Sequence, residues 1–216
     1  MSTDNQSTTF SWPWRWGAHF LSIVFHPVFV PVYFMYFLLF QHPNQYLGFD
    51  LVQKIMILLQ SVAMFTFFPL VTVGLLKALG FIKSIQLYDQ KDRIIPLVAS
   101  GIWYFWIWYV WRNLPDQPLA AIQLALGVWI TSVAALMLNT RMKISLHALS
   151  LGAILALLLS LSIKENLHYG VWLSIAFIIT GAVSSSRLLV SDHSPSEVYW
   201  GLLTGALAML VAGVFA

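Results

Sequence analysis

Long apolar runs separated by short polar punctuation dominate the chain. After Ser11-Trp12-Pro13-Trp14-Arg15-Trp16, which mixes aromatic and basic residues as a membrane interface does, an apolar run extends from about Ala18 to Phe40. Further runs cover most of Val52 to Ile82, Ile94 to Trp111, Leu119 to Leu138, Ile144 to Ile163, Val171 to Ser186 and Pro195 to the last residue. A helix needs about 20 apolar residues to cross a hydrocarbon core of about 30 Å, and in lipid the backbone must satisfy its own polar groups. Each run therefore predicts a transmembrane helix. The expected fold is all-α: a polytopic transmembrane helical bundle of about seven spans, with six also compatible. His26-Pro27 and Pro31 interrupt the first run and predict a bend, while Trp103 to Trp111 reads as an interfacial aromatic belt.

Composition narrows the class. Hydrophobic residues make up 59% of the 216 positions and charged residues 9%, against about 25% charged in a soluble domain, so no solvated globular surface is possible. Without cysteine, neither disulfides nor thiolate metal ligands enter. Residues 1–17 are expected to form a polar N-terminal tail and interfacial segment, with no removable signal peptide, and residues 18–216 a single transmembrane domain. No internal repeat or linker interrupts it.

The few charges are bunched. Seven spans would bring the connections after the second, fourth and sixth to one face, together with the N-terminus. That face collects Arg15, Lys77, Lys83, Lys91, Arg93, Arg141, Lys143 and Arg187, and the other carries Lys54, Arg112 and Lys164. The positive-inside rule makes the richer face cytoplasmic, although cations gathered to bind phosphate would produce the same bias. His42 and His168 fall on the opposite face and are expected to be solvated. His26 reads as a packed polar residue beside the proline kink.

The segment Ser186-Arg187-Leu188-Leu189-Val190-Ser191-Asp192-His193-Ser194-Pro195-Ser196-Glu197-Val198-Tyr199-Trp200-Gly201 carries the most chemistry. It resembles the third signature of the type 2 phosphatidic acid phosphatase superfamily, Ser-Arg, five residues, His, three residues, Asp, with Glu197 standing for the usual Asp. Lys143-Ile144-Ser145-Leu146-His147 resembles the second signature, keeping Ser145 and His147 and replacing the Pro and Gly. The first signature, Lys, six residues, Arg-Pro, is degenerate here: Lys91, Arg93 and Pro96 are present without the family spacing. The family joins its first two signatures without crossing the membrane, whereas two spans separate these.

The resemblance implies an integral membrane phosphatase acting on a lipid phosphate or lipid pyrophosphate, without metal or other cofactor. His193 would be the nucleophile, Glu197 its orienting carboxylate and His147 the proton donor. Arg187, Arg93 and Lys91 would bind the phosphoryl oxygens, helped by Ser145 and Ser186. The implied partners are a membrane lipid bearing a phosphate or pyrophosphate headgroup and the bilayer itself, with no nucleic acid. The implied location is a bacterial inner membrane. Glu197 has a second reading, because Ser194-Pro195-Ser196-Glu197 is also a capping box, and Arg187 and Lys143 suit snorkelling at span ends. A catalytically inactive relative that binds anionic lipid is the main alternative. A transporter would call for repeats and broken helices, and a prenyltransferase for two separated acidic motifs where only Asp89 and Asp92 stand together.

Overall fold

The computed structural model describes residues 12–85, 87, 89–165, 168–190 and 193–216. The polar start Met1 to Thr9 lies outside the described residues, as do Ser191 and Asp192 of the third signature. The described chain is helical, without strands, and forms one bundle. Helix α1 (Trp12–Val24) is followed by a break and then by α2 (Val30–Tyr36), which widens into a π-helical turn over Phe37–Gln41. Helix α3 (Leu51–Val62) runs through a second π-turn, Ala63–Phe67, into α4 (Phe68–Ala78). A single 3-10 turn, Lys91–Arg93, opens α5 (Ile94–Arg112). The remaining helices are α6 (Leu119–Asn139), α7 (Leu146–Glu165), α8 (Gly170–Leu189) and α9 (Pro195–Phe215).

Among the described residues, six helices are long and apolar enough to cross a membrane: Leu51–Ala78, Lys91–Arg112, Leu119–Asn139, Leu146–Glu165, Gly170–Leu189 and Pro195–Phe215. The chain is a multi-pass membrane protein. The first apolar run departs from expectation, since it is severed at 25–29 rather than bent. The helical stretch Val30–Gln41 rises only about 18 Å at 1.5 Å per residue. The broken segment as a whole, from Ser22 to His42, nonetheless travels the length of α7. Ser22 meets His147 at one end of that helix, and His42 meets Glu165 at the other.

Proline explains the break and side chains repair it. Pro27 and Pro31 have no N–H to give, and His26 N turns back to Ile23 O at 3.3 Å. The carbonyls left over are taken from outside the helix: Ser22 O by His147 Nε2 at 2.9 Å, Val24 O by the Tyr33 hydroxyl at 2.9 Å, and Val28 O by Thr66 Oγ1 at 2.7 Å. Lipid cannot supply such donors, so a broken helix persists only where neighbouring side chains do.

The core is densest where α9 lies against α7. Gly201 and Gly205 on α9 and Gly152 on α7 are the reason. A Cβ at Gly205 would stand 1.9 Å from Leu149 O, and one at Gly152 would stand 2.2 Å from Leu202 O. Small residues four apart let the two backbones touch, which is how helices gain van der Waals contact in lipid. The contact matters for function because α7 begins just after Lys143 and α9 just after His193.

Two expectations are corrected. The aromatic run of α5 is mostly helix packing rather than an interfacial belt. Trp111 is fully buried with Nε1 donating to Gln60 at 2.9 Å, Trp103 stacks on Phe68, and Trp108 stacks on Trp129. Trp106 and Tyr109 do remain exposed. His42 is buried rather than solvated, because every polar atom of its ring is satisfied. Nδ1 accepts from the backbone N–H of Asn44 and Gln45, and Nε2 faces Glu165 at 2.9 Å and the Tyr169 hydroxyl. Burial pushes the His42 pKa down, against the opposing pull of Glu165. His168 is exposed, as expected.

Candidate active site

The described residues leading into α5, α7 and α9 meet at one end of the bundle and are tied to one another by backbone groups. Arg93 donates from Nε to Leu87 O at 2.9 Å and from Nη1 to Ile144 O at 3.1 Å, and Asn139 Nδ2 donates to Gln90 O at 2.8 Å. Ser145 N donates to Glu197 O at 3.3 Å. These bonds set the relative height of α5, α7 and α9, and with it the placement of His147 and His193.

His193 is buried, with Nδ1 3.0 Å from Lys143 O and 3.1 Å from Glu197 Oε2. A carbonyl oxygen only accepts, so Nδ1 carries the proton. In the neutral ring Nε2 then holds the lone pair. Glu197 closes the helix cap and also bonds to His193. Its Oε2 accepts the Ser194 N–H at 3.0 Å, closing the capping box of α9, and the same oxygen accepts from His193. A carboxylate oxygen has two lone-pair sites, so cap and orienting base need not compete. Burial pushes the His193 pKa below its ordinary value; the Glu197 hydrogen bond opposes this, and the Arg187 and Arg93 charges reinforce it.

His147, on the first turn of α7, points Nε2 at Ser22 O. By the same reasoning Nε2 carries a proton there, and Nδ1 is the position at which a second proton is held or released. Arg187, half-buried on the last turn of α8, donates from Nη1 to Ser22 Oγ at 3.2 Å. The end of α1 is thus gripped by two site residues.

His147, His193, Arg93 and Arg187 line one cavity of about 260 Å³. It has a charged mouth and an apolar body. Arg93, Pro96, Leu97, Ser100 and Tyr104 follow one face of α5 along its wall, an axial run of about 16 Å. Val73 of α4, Val128 of α6 and Ala153 of α7 complete the inner part.

Three predicted residues stand elsewhere. Lys91 is exposed in the turn before α5 and does not line the cavity. Ser145 is fully buried and accepts the Ala148 N–H at 3.4 Å, as a helix cap. Ser186 Oγ donates to Ala182 O at 2.8 Å, one turn back on α8. Conversely, His26, read from sequence as a packed polar residue, lines the cavity, and its ring centroid lies 5.4 Å from that of His147. The available signal was the His-Pro pair inside an apolar run. Lys143 and Ser22 also enter the site through their carbonyl oxygens, which no residue pattern advertises, and Ser22 through its hydroxyl as well. Among the described residues, no three His, Asp or Glu side chains converge closely enough to hold a metal ion.

Comparison of the chain with family models, with curated proteins and with solved structures gives no match.

Proposed function

We propose that the protein is an integral membrane phosphatase, acting from a bacterial inner membrane on a lipid phosphate or lipid pyrophosphate through a phosphohistidine on His193. The observation that carries this reading is the locked tautomer of His193: Nδ1–H is held by Lys143 O and Glu197, which leaves Nε2 as the nucleophilic atom of a ring lining the same cavity as His147, Arg93 and Arg187. In the first step the Nε2 lone pair attacks phosphorus. The bond from phosphorus to the leaving oxygen breaks with its electron pair, and the proton on His147 Nδ1 goes to that oxygen. Glu197 balances the positive ring. In the second step water attacks phosphorus, its proton passes to His147, and the P–N bond breaks to restore neutral His193. Arg93 and Arg187 supply the positive charge that the phosphoryl oxygens need throughout. The apolar length of the cavity, between membrane helices, suits a substrate whose headgroup is phosphorylated and whose body is hydrocarbon.

A second reading, anionic-lipid binding without turnover, is favoured by one observation: Arg93 already spends two N–H groups on backbone carbonyls, and Lys91, Ser145 and Ser186 are turned away. Phosphate release from a mixed panel of phosphatidic acid, phosphatidylglycerophosphate and polyprenyl pyrophosphate separates the two. Purified protein is expected to release phosphate from at least one lipid and His193→Ala from none. Equal background release by both proteins sinks the enzyme reading for that panel.

A further inference from the structure

The break in the first transmembrane segment brings a third histidine to the site. His26 sits between α1 and α2, and its ring meets that of His147 edge to face, at 85° with centroids 5.4 Å apart. A second edge contact with Phe29, at 6.2 Å, holds it from its own turn. Its side chain is nevertheless exposed, and the space it is exposed to is the cavity that Arg93, His147, Arg187 and His193 also line. The backbone around His26 does not need its side chain, because the carbonyls that the break frees are taken by His147, Tyr33 and Thr66.

His147 needs a second contact. The hydrogen bond from Nε2 to Ser22 O fixes one point of the imidazole and leaves the ring plane free to turn about that point. A proton donor acts only within a narrow range of directions. Among the described residues, the other ring contact of His147 is His26. Edge-to-face pairs have a preferred geometry and so constrain a plane, which a lone hydrogen bond does not.

We propose that His26 is a positioning residue for this site, holding the His147 ring in the plane that presents Nδ1 to the leaving oxygen of the substrate. The proposal rests on the phosphatase reading for its chemistry but not for its geometry. The proline break in the first span then has a function: it turns both the Ser22 carbonyl and the His26 ring toward the proton donor.

The test compares His26→Ala, His26→Asn and His26→Phe with the wild type, using short-chain phosphatidic acid in mixed micelles as the probe. Phe keeps an aromatic ring against His147 but cannot hydrogen-bond, whereas Asn hydrogen-bonds without a ring, and neither titrates. The expected result is a kcat within about twofold of wild type for Phe and lowered roughly fivefold for Ala and Asn, with KM unchanged in all three. Rescue by Asn and not by Phe overturns the proposal, as does an unaltered kcat in Ala. Ring-carbon relaxation NMR of His147 gives a readout independent of turnover: Ala should raise the angular mobility of the ring while the Nε2–H bond to Ser22 O keeps its tautomer, and Phe should hold the ring as wild type does. If the wild type releases no phosphate, the phosphatase reading fails for this lipid and the NMR result decides the geometry. A His147 ring as rigid in His26→Ala as in wild type then overturns the proposal.

Discussion

Replacing Gly205 by alanine tests whether close contact between α7 and α9 is what assembles the site. The new methyl carbon would fall 1.9 Å from Leu149 O, 2.8 Å from Leu149 C and 3.0 Å from Ala153 N. All three are backbone atoms in the N-terminal half of α7, so no side-chain rotation relieves the clash. A carbon and a carbonyl oxygen rest no closer than about 3.3 Å, so α9 must retreat by about 1.4 Å. His193 precedes α9, and its bonds to Lys143 O and Glu197 are 3.0 and 3.1 Å long. A shift of that size breaks the bond to Lys143, while the bond to Glu197, within the same turn, travels with the helix. Overpacking of this kind costs about 1–3 kcal/mol, and a misplacement of about 1 Å at a reacting group can cost about a hundredfold in rate. The expected outcome is a lowered unfolding midpoint in detergent micelles together with a loss in phosphate release of about two orders of magnitude. Gly127→Ala serves as the control, since its methyl meets Met209 Sδ at 2.3 Å, the far end of a flexible side chain that can move aside. It should keep most of its activity. Wild-type stability and activity in Gly205→Ala would refute the reasoning.

Further outcomes follow from the same geometry. Neutral His193 is the reactive form and its pKa is held below the ordinary 6.5, so the acid limb of kcat/KM that reports loss of the nucleophile should lie below pH 6.5. Glu197→Gln removes the contribution that raises the pKa and should move that acid limb further down while lowering kcat at least tenfold; the same depressed pKa makes His193 cost stability as pH falls, because the unfolded chain takes up its proton first. Lys91→Ala should leave phosphate release within about twofold, since Lys91 is exposed and outside the cavity. On the far face, His42→Ala removes the acceptor of the Asn44 and Gln45 N–H groups and one partner of Glu165, so thermal unfolding in micelles should show a loss of about 1–3 kcal/mol, with kcat unchanged in the protein that remains folded.

Much of the architecture was legible as a sequence because lipid leaves the backbone so few choices. An apolar run of sufficient length must become a helix, and α3–α4 and α5 to α9 follow the predicted runs to within a few residues at most boundaries. The dyad was legible for a similar reason: His193 and Glu197 are four apart across a helix start, where local geometry alone brings the side chains together. The first span was misjudged because proline announces a fault in a helix without saying whether the result is a bend or a break. That depends on whether donors such as His147, Tyr33 and Thr66 stand nearby, and those come from three different helices.

Tertiary structure decided the rest. Ser145 and Ser186 match the pattern as well as His193 does, yet one caps α7 and the other bonds back to α8, because a hydroxyl takes the nearest backbone partner available to it. His42 reads as a solvated loop residue and is buried, since Glu165 and Tyr169 arrive from more than a hundred positions away. His26, the Ser22 carbonyl and the Lys143 carbonyl join the site through contacts that span 50 positions or more. Apolar run length, which the bilayer dictates, could be read one residue after another; which polar atoms complete the site depends on how closely α7 and α9 pack and on where the first helix breaks.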